Sequence, residues 1–274
     1  MVMRRAKGSA TRWQSAAARR LLAIAGNPST VKEAVRIVVG KFLENVDCPP
    51  TNLEEIQIRL DVKHIETEDL PFSGELRRGK DGFTIVLAKH LSPSRRRFTI
   101  AHELGHAILA TTGPHCPRFG SELERLCDML ATEMLMPRVL FTRLAQESFS
   151  ISRVWDLARV FGTSLTATAL RGAELMGCSA FEIEGDKISW GYGFVRKGSL
   201  TALDHDLQLA VRSARGSEVG ESKVYVWDQK WQGDCKLEWA SPKGSRRTLF
   251  LLQPLWKASE PSRDFQAHRS QTHS

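Results

Sequence analysis

"RFTIAHELGHAILA", Arg97 to Ala110, is an apolar run interrupted by two histidines that flank Glu-Leu-Gly. On a helix His102 and His106 lie one turn above each other on nearly the same face. The flanking Phe98, Ile100, Ala101, Leu104, Ile108 and Leu109 mark that helix as mostly buried. Burying three unpaired polar side chains there costs several kcal/mol. A single divalent cation that accepts both imidazole nitrogens removes that cost. Glu103 stands beside them, where it can act as general base on a water whose pKa zinc lowers toward roughly 7. Gly105 takes away a side chain between the histidines, so a second helix or a substrate can come close. His-Glu-x-x-His also arises by chance on surface helices, but the apolar flanks argue against that origin here.

A hydrolytic zinc keeps three protein ligands and one open position. The further carboxylates lie in "SELERLCDMLATEMLMP", Ser121 to Pro137, at Glu122, Glu124, Asp128 and Glu133. Glu124 and Glu133 are nine positions apart, hence on opposite sides of a helix, and at most one faces the cation. Glu124 and Asp128 share a face. That arrangement offers one ligand, with a second carboxylate to orient a histidine from behind. Ser121-x-x-Glu124 is also a capping box, in which the glutamate only satisfies the helix start. Spacing alone leaves Glu124 open.

The stretch "RRRFTIAHELGHAIL" followed by "ELERLCDMLATEMLMP" resembles the ImmA/IrrE family of metallopeptidases. There an Arg-Phe-Thr-x-Ala-His-Glu-x-x-His helix precedes a helix of pattern Glu-x-x-(Ala/Cys)-(Asn/Asp)-x-x-Ala, ending in Leu-Met-Pro. Glu124, Cys127, Asp128, Ala131, Leu135, Met136 and Pro137 stand at those positions. Leu130 departs, replacing the usual Phe. The likeness covers roughly Thr51 to Met176. It implies Glu124 as third ligand to Zn²⁺ and a zinc endopeptidase activity. It also implies a narrow protein substrate, a helix-turn-helix repressor whose cleavage switches on a stress, mobile-element or phage-defence response. Some members carry an N-terminal helix-turn-helix domain; Met1 to Pro50 is too irregular to be one.

The expected fold class is α+β: a zincin-like catalytic domain with a small antiparallel sheet and two ligand-bearing helices, followed by a smaller β-rich domain. Apolar residues recur at helical spacing from Val31 to Val46, until Cys48-Pro49-Pro50 stops the helix. Thr51 with Glu54 reads as the capping box of a second helix. From Val62 to Ala88 the period becomes two, with "SGELRR" and "FTIVLAK" forming a hairpin about a Gly-containing turn. Ser92-Pro93 opens the histidine helix. Further helices run to Met176, then strands dominate, in "AFEIEGDKISWGYGF", "KVYVWDQ", "CKLEWA" and "RTLFLLQ", with "LDHDLQLAVRSA" as a helix. The expected division is a basic leader (1–27), a metallopeptidase domain with a helical extension (28–177), a β-rich domain that resembles small sensor domains of the GAF type (178–257) and a disordered tail (258–274).

The 274 residues, 42% hydrophobic and 26% charged, describe an ordinary globular protein without an apolar run long enough to cross a bilayer. The formal charge of +8 permits an acidic partner without demanding one. No acidic residue precedes Glu33, whereas Arg4, Arg5, Lys7, Arg12, Arg19 and Arg20 do. That leader reads as a mobile basic segment, with an organelle transit peptide or a nucleic-acid patch as alternatives. The five cysteines, Cys48, Cys116, Cys127, Cys178 and Cys235, show no paired spacing and fit reduced thiols in the cytoplasm.

Other features carry weaker signals. Leu157 to Leu175 reads as helix, Gly turn, helix, but Arg171 is nearly its sole basic residue on the second helix, so a structural module is expected rather than a DNA reader. Of Arg95, Arg96 and Arg97, one is expected to pair internally, since cations oppose the dipole at a helix start. His90, His115 and Cys116 read as incidental loop residues. Tyr192 and Tyr225, the two tyrosines, lie far from the motif, so no oxyanion donor is assigned. Trp190, Trp227, Trp231, Trp239 and Trp256 read as sheet core. The rival to a peptidase is a non-proteolytic regulatory protein that binds a repressor or DNA around a structural or idle metal site.

Overall fold

Short polar residues start the helices that surround the site. In the computed structural model, which describes residues 13–44, 46–110, 121–145, 149–214, 217–228, 231–241 and 244–255, Ser15 accepts the Ala18 N–H and caps α1 (Ala16–Ile24). The first twelve leader residues, the expected tail 258–274, Trp256, His115 and Cys116 lie outside the described residues. Thr30 caps α2 (Val31–Gly40), which buries Val31, Ala34, Val35, Val38 and Val39. The periodicity to Val46 overstates this helix. Gly40 ends it, and Phe42, Leu43 and Val46 donate to carbonyls three residues back, a tighter turn. The cap of α3 (Leu53–Arg59) is Asn52 rather than Thr51, because Asn52 Oδ1 takes the Glu54 N–H.

Two compact units follow from the contacts within the chain, Met1–Ser148 with Val154–Arg171, and Phe149–Arg153 with Gly172–Ser274. In the first, β1 (Val62–Glu68), β2 (Gly74–Arg78) and β3 (Phe83–Ala88) form a sheet of order β1-β3-β2. The expected hairpin is β2–β3, with Leu76 opposite Ile85. The sheet itself is mixed, not antiparallel, since β1 runs parallel to β3. The chain reverses into β2 at one edge and again into β3 at the centre, and that crossover has no local sequence signature. Central β3 buries Phe83, Ile85, Val86 and Leu87, on both of its faces.

The histidine helix α4 (Pro93–Ala110) packs against α5 (Ser121–Leu135) and also meets β2 and β3. Pro137 closes α5, and α6 (Arg138–Ala145) starts with the Arg138 N–H on Glu133 Oε1. After α7 (Ile151–Phe161), Gly162 at φ 65° makes the turn into α8 (Leu165–Met176). Arg171 is buried against Glu133 and the Met136 carbonyl, so it is not a solvent-facing cation for DNA.

In the second unit, β4 (Ser179–Glu184), β5 (Lys187–Tyr192), β6 (Gly198–Ser199), β7 (Val219–Asp228), β8 (Trp231–Ala240) and β9 (Arg247–Pro254) form an antiparallel sheet of order β6-β5-β4-β9-β8-β7. Helix α9 (His205–Ser213) buries Leu207 and Val211 in the same core as Phe181, Leu237 and Phe250. Phe181 stacks on Phe250, and the Trp239 indole N–H donates to Ser217.

Candidate metal centre

His102 and His106 project from consecutive turns of α4, and Glu124 reaches them from the first turn of α5. His102 Nε2 lies 3.2 Å from His106 Nε2 and 3.2 Å from Glu124 Oε2, while His106 Nε2 lies 3.7 Å from Glu124 Oε1. Among the described residues these three supply donor atoms within 4.8 Å of one another. Their spacing depends on the α4–α5 crossing at Gly105. A β-carbon there would sit 3.1 Å from Cys127 Cα and 3.3 Å from Cys127 Cβ. The glycine thus admits the second helix, and Cys127 lies between Glu124 and Asp128 in sequence.

Asp128 sits behind His102: the imidazole Nδ1–H donates to Asp128 Oδ1 at 2.9 Å. That bond leaves the Nε2 lone pair of neutral His102 pointing at Glu124 Oε2. Two acceptors 3.2 Å apart repel unless a positive charge lies between them. The donor set therefore fits a divalent cation. Two imidazoles and one carboxylate, with a second carboxylate fixing a ring from behind, suit a borderline metal ion.

Electrostatics at the three α4 residues differ. Burial pushes the His102 imidazole down, but the Asp128 hydrogen bond and the charges of Glu103, Asp128 and Glu124 outweigh it, and its pKa is raised. His106 is lowered, by burial first and by His102 second, against the pull of Glu124. Glu103 is 4% exposed. Burial pushes its carboxyl up to about 7; His102 opposes, Glu124 and Glu75 add to the rise, and a hydrogen bond from the Leu76 backbone N–H opposes it.

That Leu76 bond is one rung of a ladder between α4 and β2. Arg95, Thr99 and Glu103, one turn apart, face successive points of the strand. Arg95 donates to Ser73 Oγ at 2.8 Å. At Gly74 a β-carbon would lie 2.6 Å from Thr99 Cγ2, so glycine lets the strand approach. Glu103 takes the Leu76 N–H. Glu124, by contrast, has a half-exposed side chain at 51%. The centre has a buried wall carrying Glu103 and an open side at Glu124.

The remaining sequence candidates separate. Glu133 is removed from the histidines by its pairing with Arg171. Glu122 faces α1, not the centre, and accepts the Gln14 and Ser15 N–H groups. Arg97 is the inward member of the arginine run and donates to the Thr51 carbonyl. His90 is exposed in the turn after β3. The Leu76 N–H and Ser15 contacts had no signal in the sequence, since they join residues far apart along the chain.

A family model described as the IrrE N-terminal-like domain, Peptidase_M78, matches residues 57–171. That segment contains α4 and α5 with His102, Glu103, His106, Glu124 and Asp128. A solved structure titled "Mycobacterium tuberculosis transcriptional regulator" shares the fold at 15% sequence identity and a TM-score of 0.53, covering 87% of this chain and 80% of that one. No curated protein matches the chain. Among the described residues no helix is long and apolar enough to cross a membrane.

Proposed function

Because the chain carries, over residues 57–171, the IrrE N-terminal-like domain of a peptidase family, we propose that it is a zinc-dependent endopeptidase that cleaves a helix-turn-helix transcriptional repressor. In this reading cleavage switches on a stress, mobile-element or phage-defence response. The observation that carries the catalytic part is the buried Glu103 carboxyl, held at the wall of a His102–His106–Glu124 cluster that is open on its other side. A purely structural zinc site is closed by four protein ligands and has no need of a buried acid beside it.

Bound zinc supplies Lewis acidity, polarising the scissile carbonyl and lowering the pKa of the attacking water. The Glu103 carboxylate takes the water's proton and returns it to the leaving amine. Asp128 holds the His102 tautomer with Nε2 free to bind. The outer strand of the first unit's sheet, β2, runs beside Glu103, and an extended peptide can align along such an edge strand. A fold shared with a protein titled a transcriptional regulator accords with a regulatory substrate. Among the described residues Cys48, Cys127, Cys178 and Cys235 are in no disulfide, which accords with action in the cytoplasm. The segment 178–257 is then the module through which a signal reaches the peptidase.

The test incubates metal-loaded wild type and Glu103→Gln with the helix-turn-helix regulator encoded beside this protein, followed by intact mass. Wild type is expected to give two fragments whose masses sum to the regulator plus one water. Glu103→Gln is expected to keep its metal and leave the regulator whole. An uncut regulator with wild type, or equal cutting by the variant, overturns the reading.

A further inference from the structure

Glu124 stands in the first turn of α5, at a helix end, where backbone N–H groups lack intrahelical partners. Its side chain is half exposed, and among the described residues its ion-pairing partners are the two histidines. A metal ligand has to be placed to within a few tenths of an ångström. Something must therefore hold this turn.

Successive faces of the turn answer to different neighbours. Leu123 and Leu126 are buried in the core. Glu124 and Asp128, one turn apart, face α4. Glu122 and Arg125 reach the residues that lead into α1. The Glu122 carboxylate accepts the Ser15 N–H at 2.9 Å and the Gln14 N–H at 3.2 Å, at the N-terminus of α1, where the helix dipole favours an anion. The Arg125 guanidinium lies over the Trp13 ring, 4.8 Å from its centroid. Helix α1 also packs on α2, α4 and α5 through its buried Ala17, Ala18 and Leu21. All of these N-terminal residues lie outside the segment 57–171 that matches the peptidase domain.

We propose that the segment Trp13–Ser15 with α1 is a positioning element for the metal centre, clamping Glu122 and Arg125 so that Glu124 between them meets both imidazoles. The proposal rests on the reading of His102, His106 and Glu124 as metal ligands. It makes the N-terminal extension part of the site's machinery, rather than a separate appendage to the domain. Trp13, Ser15, Glu122 and Arg125 act through Glu124 and touch no reacting atom.

The test uses the full chain and measures affinity for zinc by competition with a chromophoric chelator, together with the visible spectrum of the cobalt-substituted protein. Glu122→Ala and Trp13→Ala are compared with Trp13→Phe, which keeps a ring under Arg125. Thr30→Ala serves as a control, since it removes the cap of α2 and lowers stability without touching the first turn of α5. Glu122→Ala and Trp13→Ala are each expected to weaken metal binding by about tenfold, the scale of partners around a ligand shell, and to alter the cobalt spectrum. Trp13→Phe and Thr30→Ala are expected to bind like wild type. If Glu122→Ala does not fold, the Trp13 pair decides alone. Unchanged affinity in Trp13→Ala, or an equal loss in Thr30→Ala, overturns the clamp while leaving the metal site standing. Wild type that binds no metal overturns both.

Discussion

Gly105 lies against Cys127 so closely that a β-carbon at position 105 would sit 3.1 Å from the Cys127 Cα. The contact falls between His102 and His106 on one helix and between Glu124 and Asp128 on the other. Replacing this glycine is therefore a direct way to push the ligands apart. Gly105→Ala is expected to lower stability by about 1–3 kcal/mol through overpacking and to weaken zinc binding as well. Thermal unfolding and chelator competition measure the two effects. A variant with wild-type zinc affinity would show that the helix spacing is not limiting.

Asp128 contacts the centre through its hydrogen bond with His102. Asp128→Asn loses the charge that favours the Nδ1–H tautomer but keeps an acceptor in place. Zinc affinity is expected to fall by about tenfold with little change in thermal midpoint. No loss of affinity would remove Asp128 from the site.

Glu133 shares the helix of Glu124 and has a different task. It receives the Arg138 N–H and pairs with Arg171, both side chains being buried. Glu133→Gln takes a buried carboxylate charge away from the Arg171 guanidinium and is expected to cost about 3–5 kcal/mol in denaturant unfolding. Metal affinity is expected to stay near wild type when measured well below the unfolding transition. A cost under about 1 kcal/mol would mean the pair behaves as an exposed one.

Glu103 makes the metal-free protein sensitive to pH. Its carboxyl is raised from the ordinary 4.5 to about 7 in the folded chain, first by burial. The native state then holds a proton that the unfolded state has released, so stability falls as pH rises between those two values. The fall attributable to Glu103 is on the order of 3 kcal/mol. Unfolding of the metal-free protein across that window is expected to show it, and Glu103→Gln is expected to flatten the profile. A variant profile parallel to that of wild type would contradict the burial argument.

The parts of the site written in local spacing were legible in the sequence. His102 and His106 share a helix face by arithmetic, and Glu124 with Asp128 follow the same rule on the next helix. Which carboxylate joins the two histidines was not legible from spacing, because Ser121-x-x-Glu124 reads equally well as a cap; the family resemblance favoured Glu124. The hairpin β2–β3 was visible in its alternation and its turn. The parallel partner β1 was not, since pairing between distant segments leaves no periodic trace. The same limit hid Leu76 on Glu103, Ser15 on Glu122 and Glu133 on Arg171, which join residues brought together only by the fold. The helix through Val46 failed for a local reason: Gly40 ends the α-helix although apolar residues continue beyond it.

The central claim is that His102, His106 and Glu124 bind one cation between them, and its most direct measure is a zinc titration of metal-free protein. Wild type is expected to take up one equivalent per chain tightly. Glu124→Ala is expected to bind more weakly by more than the about 10–100-fold that outer partners cost. Wild type without stoichiometric binding, or Glu124→Ala with undiminished affinity, would contradict the account.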